Sequence, residues 1–265
     1  MSSYLAIGSV CWDVIEGDDS ARLGGSVLFA CRVAHDAGWD AHLVTSGTEQ
    51  LDEAVRAALP GVEITVQRSS SDTVMAFSRN AEIGPQAVPT VADPIDLHLL
   101  DGMRSTIGSA DVVHLAPIMG EVTSGLAHQV RAGRFVGITP QGLLRSRAPN
   151  TGALGRLPVL DAWWTEVVDA AVVSEDEYAL LAEPGALGEL ALAVTQGEQG
   201  CFGRWGEELI EVAGIGRGEV LPERTIGAGD VFAAAFFMAL SSGEEFAAAL
   251  HHANRTAAAY VGAHP

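Results

Sequence analysis

Lysine is missing altogether: all fifteen basic residues are arginines, set against thirty-four acids, for a net charge of −19. That absence excludes the lysine-dependent phosphate loop and every Schiff-base mechanism. A chain so composed that handles phosphate must use arginine, a metal ion and backbone N–H groups. The acid excess repels nucleic acid and anionic membranes, so neither is an expected partner. Cysteine is scarce, with residues at 11, 31 and 201 that lie at no metal-ligand spacing. They read as small buried hydrophobes in a reducing cytoplasm. No basic leader precedes the first apolar run, which meets an acid at Asp13, so a signal peptide is not expected. Apolar runs of membrane-spanning length free of charge and glycine are absent too. The expectation is a soluble, cytoplasmic protein.

The chain does hold 48% hydrophobic residues, enough for a large core. "YLAIGSV" (4–10) reads as a buried strand, and "GGSVLFACRVAHDAG" (24–38) as a helix that opens on Gly-Gly-Ser. A strand "AHLVTSG" and a helix "QLDEAVRAAL" follow. Residues 62–91 have β-branched residues and turn clusters without helical period, and predict two or three antiparallel strands that leave the main sheet. From residue 110 strands return at "DVVHLA", "RFVGIT", "AAVVS" and "LALAVT", with helices between. "GCFGRWGEELIEVAG" reads as antiparallel, and an Ala-rich helix over 244–262 closes the chain. Alternating strands and helices imply an α/β fold with a mostly parallel sheet and helices on both faces. Residues 1–265 read as one domain.

One stretch carries chemistry: "TIGAGDVFAAAFFMAL" (225–240). Gly227, Ala228 and Gly229 let backbone approach a ligand, and the helix that begins there points unpaired N–H groups at the same place. Asp230 stands in the first turn, where it is either a base for a substrate hydroxyl or a simple helix cap. The run after it is apolar all round, which predicts a central, buried helix.

"TIGAGDVFAAAF" resembles the signature of the ribokinase-like, or PfkB-type, carbohydrate kinases. The resemblance implies a three-layer α/β/α sandwich with a β lid, and the transfer of phosphate from ATP with Mg2+. It makes Asp230 the general base and Gly227, Ala228 and Gly229 the anion hole. Further segments match in order. "LGGSVLFACRVAHDAG" is similar to the N-terminal signature, so that Gly24, Gly25 and Ser26 border the acceptor pocket with Asp13, the substrate-binding acid. "VSEDEYALL" falls where the family has Asn-x-x-Glu, so that Ser174 and Glu177 lie by the phosphates, with Glu177 reaching magnesium through water. "VTQGEQGCF" resembles the turn beside the nucleotide, which assigns Thr195, Gly197 and Gly200, and Asn254 falls where the family lines the adenine pocket.

The departures are specific. Ser174 replaces the usual Asn, and Arg224 the acid that commonly helps form a monovalent-cation site, which counts against potassium activation. Phe29 replaces a sugar-binding Asn. Only ten residues separate Asp13 from Gly24, so the lid is reduced, with fragments near 12–23 and 64–91. These features and "TPQGLLR" (139–145) resemble the myo-inositol kinase branch and place Gln141 and Arg145 by the acceptor, or leave Arg145 as a solvated loop charge. The implied activity is phosphorylation of a small sugar or polyol, inositol-like before others, by a monomer or weak homodimer. A nucleoside kinase, with Trp12 and Phe29 as base-pocket candidates, and a non-catalytic nucleotide or metabolite sensor are the alternatives.

Overall fold

The computed structural model describes residues 1–78, 86–131, 135–157, 163–181, 189–216 and 225–263. The chain enters the sheet at β1 (Ser3–Gly8), then forms β2 (Cys11–Ile15), β3 (Arg22–Gly24), α1 (Ser26–Asp36), β4 (Asp40–Gly47), α2 (Glu49–Ala58), β5 (Glu63–Arg68) and β6 (Thr73–Phe77). Short helices α3 (Leu97–Gly102) and α4 (Arg104–Ser109) lead to β7 (Val112–Ala116), α5 (Ser124–Val130) and β8 (Val136–Ile138). A 3-10 turn at Pro140–Leu144 precedes the hairpin of β9 (Arg145–Arg147) and β10 (Leu154–Arg156). The rest is β11 (Ala170–Ser174), α6 (Glu175–Tyr178), β12 (Ala191–Thr195), β13 (Gly200–Trp205), β14 (Glu208–Ala213), α7 (Ala228–Ser241) and α8 (Phe246–Ala263).

Nine strands form the main sheet in the order β14-β13-β12-β11-β8-β7-β1-β4-β5. The seven from β12 to β5 are parallel; β13 runs against them, and β14, antiparallel to β13, runs with them again. Side-chain alternation divides the interior. Tyr4, Ala6, Val112, Ala116, Ala170, Val172, Ala191 and Ala193 face one core, and Leu5, Ile7, Val113, Leu115, Ala171, Val173, Leu192 and Val194 the other. The first core is rich in alanine because α7 lies on it and brings Phe232, Phe236 and Phe237. At β8 the fit leaves no room for a side chain: a Cβ on Gly137 would stand 2.5 Å from the Phe237 ring. α7 is buried from Val231 to Ala239 and packs between α1 and α8, as its apolar sequence predicts. The result is the expected α/β/α sandwich.

Two expectations fail in residues 62–91. β5 does not leave the main sheet; it extends the parallel edge beside β4. β6 joins a separate three-stranded sheet, order β3-β2-β6, where it runs parallel to β2. Local pattern does not say which edge a short apolar strand will find. Residues 79–85 of that stretch lie outside those described. β2 itself was hidden in the run that continues β1. Its alternation turns Cys11, Asp13 and Ile15 inward, with Val14 on the exposed face.

A buried acid joins the loops over the carboxyl ends of β1 and β7. Glu121, 3% exposed, accepts hydrogen bonds from the N–H groups of Ser9 and Ile118 at 2.8 Å each and of Met119 at 2.8 Å. It thereby ties the loop after β1 to the loop after β7. Replacing Glu121 by Ala strands these donors and is expected to lower unfolding free energy by about 3 kcal/mol. Calorimetry should register this as a fall in Tm of roughly 6–12 °C for a chain of this size.

Candidate active site

Open parallel sheets bind ligands outside the carboxyl ends of their strands, and the predicted residues gather there. Asp13 comes from the inner face of β2 and is 6% exposed. Gly24, opposite Cys11 in β3, makes room for it: a Cβ there would collide with the Asp13 carboxylate. Gly25 caps α1 at φ 105°, with its missing Cβ turned toward the Ser9 carbonyl. Ser26, the first residue of α1, is buried and points its hydroxyl at Asp230.

Asp230 stands where the sequence placed it, in the first turn of α7. Gly227 is the N-cap at φ 83°, and its carbonyl accepts from the Val231 N–H at 2.9 Å, closing the first turn. The N–H groups of Ala228, Gly229 and Asp230 have no intrahelical acceptor and lie at the positive end of a fourteen-residue helix. A helix end of this kind is able to receive an anion. Two aromatic residues set its position. A Cβ on Gly227 would stand 2.7 Å from the Phe29 ring, and the Tyr260 hydroxyl donates to the Ile226 carbonyl at 3.0 Å. Phe29 and Tyr260 meet edge to face, with ring centroids 6.2 Å apart. Phe29 therefore supports the N-terminus of α7.

The acids share one electrostatic neighbourhood. Burial raises the Asp230 pKa to about 6, helped by Glu177 and Asp13 and opposed by the Ser26 hydrogen bond and Arg145. Burial also brings Asp13 to about 6, against a hydrogen bond from the Cys11 thiol at 3.2 Å and the charges of Arg145 and Arg22. Gln141 donates to the Ser26 hydroxyl, and its carbonyl oxygen accepts from Arg145 at 3.0 Å. Arg145 thus stands in the pocket with the acids, and its loop-charge reading falls away. Cys11 and Tyr260 were not foreseen. The alternation Cys11-x-Asp13 is a usable signal for the first, while nothing near Tyr260 in sequence announces the second.

On the donor side the picture is more structural. Ser174 and Glu177 cap α6 reciprocally: the Glu177 N–H donates to the Ser174 hydroxyl at 3.2 Å, and the Ser174 N–H to a Glu177 carboxylate oxygen at 2.9 Å. The serine in place of asparagine completes this box. Thr195 ends β12 and donates to the Val173 carbonyl at 3.4 Å. Gly197 and Gly200 take φ 59° and 106° around the 3-10 turn that follows, and a Cβ on Gly200 would strike the Val212 carbonyl. Asn254 is buried and donates to the Ala213 carbonyl at 2.9 Å, fastening α8 to the end of β14. Arg224, on which the potassium reading rests, lies outside the described residues. All three cysteines are buried and free. No helix among the described residues is long and apolar enough to cross a membrane.

Comparison with known proteins agrees with this fold. Residues 161–264 match the family model of the pfkB family carbohydrate kinases. A search of curated proteins finds no match. Among solved structures, a pyrophosphate-dependent kinase in the ribokinase family, complexed with a pyrophosphate analog and myo-inositol, superposes at TM-score 0.82 with 19% identity, covering 99% of this chain and 96% of that one. Ribokinase of Arabidopsis thaliana, complexed with ribose and ATP, gives 0.70 at 19%, over 97% of this chain and 92% of that one. Adenosine kinase from Sinorhizobium meliloti gives 0.68 at 18%, over 97% and 93%. The fold is the ribokinase fold, and the resemblance to PfkB-type kinases holds.

Two outcomes follow from the site's construction. Gly227→Ala forces a left-handed residue onto the Phe29 ring and should cost at least about 1–2 kcal/mol in chemical denaturation. Gly229→Ala meets no heavy atom within 4 Å among the described residues and should leave stability unchanged while weakening sulfate binding at the helix end. The second concerns pH. Both aspartates have folded pKa values raised above the ordinary 3.8. Between about pH 4 and 6 the unfolded chain releases protons that the folded chain retains, so stability falls as pH rises through that window. Asp230→Asn should therefore melt above the parent at pH 8 and level with it at pH 3.5.

Proposed function

We propose that this ribokinase-fold chain is a kinase that phosphorylates a hydroxyl of a small sugar or polyol, with an inositol-like acceptor favoured. The observation that carries the reading is Asp230, seated beside a bare helix N-terminus and in the same pocket as Asp13. A carboxylate next to an anion site is repelled by the anion. Its presence there makes chemical sense when it takes a proton from the group that attacks that anion.

In this reading the acceptor lies among Asp13, Gly24, Gly25, Ser26 and Gln141, with its reacting hydroxyl on Asp230. As the hydroxyl oxygen bonds to phosphorus, its proton passes to Asp230, and the bond to the leaving phosphate breaks with its electron pair on the leaving oxygen. Charge spreads over the transferring oxygens, and the N–H groups of Gly227, Ala228 and Gly229 receive it. Thr195, Gly197, Gly200 and Asn254 border the donor. Magnesium fits as an ion carried by the donor's phosphates, with Glu177 reaching it through water. Among the described residues no group of three or more His, Cys, Asp or Glu could cage a metal. When bound, the ion neutralises charge on the phosphates.

ATP is the donor in this proposal. A second donor, pyrophosphate, is favoured by one observation here: the Asn254 amide, assigned to adenine, is spent on the Ala213 carbonyl. The higher superposition score of the pyrophosphate-dependent neighbour points the same way. The nucleoside reading loses support, because Trp12 bonds Asp72 at 2.9 Å and Phe29 lies under Gly227.

The test is product mass over polyols, sugars and nucleosides, each with ATP and with pyrophosphate and magnesium. Asp230→Asn should cut kcat about 10²–10⁴-fold. The parent's kcat/KM should fall with acid below about pH 6, where Asp230 takes up its proton. Tight nucleotide binding with no acceptor phosphorylated by either donor would instead favour the sensor, and an Asp230→Asn variant as fast as the parent would remove the base.

A further inference from the structure

Arg145 is a cation of the pocket whose bonding partners are neutral. One terminal nitrogen donates to the Ile118 carbonyl at 3.3 Å and the other to the Gln141 side-chain oxygen at 3.0 Å. Asp230, Glu177, Glu121 and Asp13 all act on it or are acted on by it through space. Yet among the described residues none of these acids forms an ion pair with it. Surface arginines behave otherwise: Arg56 pairs with Asp52, Arg104 with Asp101 and Arg131 with Asp169. An arginine already paired would have to give up a carboxylate before it could take an anion. Arg145 has no such pair to break, and its remaining N–H groups stay available.

Its holders are themselves fixed. Ile118 sits in the loop ordered by Glu121, which accepts from the Ile118 N–H at 2.8 Å. Gln141 lies in the 3-10 turn Pro140–Leu144, and its amide nitrogen donates to Ser26, whose hydroxyl bonds Asp230. The series Arg145, Gln141, Ser26, Asp230 therefore sets the spacing between the cation and the base. A polyol hydroxyl offers a guanidinium a single oxygen, whereas an oxyanion presents paired oxygens that the fork binds in two parallel charge-assisted bonds. With no lysine in the chain, side-chain positive charge in this pocket has to come from arginine.

We propose that Arg145 is a catalytic residue that binds the phosphoryl group in transit, across from the N-terminus of α7. The inference rests on the kinase reading and deepens it. The acceptor oxygen forms its bond to phosphorus, the bond to the leaving oxygen breaks with its electrons, and the proton goes to Asp230. Arg145 takes one edge of the transferring group's oxygens, and the backbone N–H groups of 227–229 take the other.

Aluminium fluoride, which mimics the phosphoryl group in flight, separates this role from simple acceptor binding. The parent, Arg145→Gln and Arg145→Lys are titrated calorimetrically with magnesium, myo-inositol and either ADP or inorganic phosphate, with and without fluoride. In the parent, fluoride should tighten the complex. Arg145→Gln should lose about 10²–10³-fold of that tightening, the usual cost of one donor to developing charge, while myo-inositol affinity changes by less than about threefold. Arg145→Lys, which keeps charge and loses the fork, should recover part of the loss, and it serves alone should the glutamine variant fail to fold. Full tightening in Arg145→Gln, or loss of myo-inositol binding with fluoride tightening intact, would overturn the assignment. Absence of any tightening in the parent with both leaving groups would overturn the kinase reading beneath it.

Discussion

An ionised carboxylate and a bare helix N-terminus keep a fixed separation only if the helix cannot shift, and in this protein apolar contact on every side of α7 prevents it. Phe232, Phe236 and Phe237 fill the space that alanines on the strands and Gly137 leave for them. α1 and α8 close the other sides. At the helix mouth the Phe29 ring lies against Gly227, and the Tyr260 hydroxyl holds the carbonyl of Ile226. Interiors packed this closely transmit small displacements, so the position of the three free N–H groups is set by the core.

The electrostatics obey a second constraint. Asp13, Asp230, Glu177 and Glu121 lie close enough to Arg145 to interact with it, and burial makes the charges of Asp13, Asp230 and Arg145 expensive. The two aspartates answer by moving to about 6, within reach of the neutral form. Glu121 answers differently, by taking three backbone N–H groups. The arginine takes neutral partners and remains a charge in waiting. Such a cluster, four acids around one arginine, is costly to fold.

Much of this was legible in the chain. The apolar period of 231–240 announced a buried helix, and Gly-Ala-Gly before an acid announced where that helix begins, because both depend on neighbours in sequence. The βα alternation from residue 110 announced the parallel sheet for the same reason. Less legible was everything that depends on distant partners. β5 pairs with β4 because that sheet edge was open, and β6 crosses to β2, though both look like the same kind of short strand. Ser174 looked like a loss from a magnesium motif and is half of a helix cap. Phe29 looked like a change in the acceptor pocket and lies against Gly227 at the N-terminus of α7.

Sequence alone determined the kinds of group on hand: a chain without lysine, one acid at the start of an apolar helix, and glycines where backbone must come close. Tertiary structure alone decided which of these groups meet. Asp13 and Asp230 are 217 positions apart, and Ser26 and Gln141 are 115 apart, yet they form one pocket. Local preferences fix the conformation of a few neighbouring residues. Contacts between segments so far apart form only when the two cores pack around the sheet.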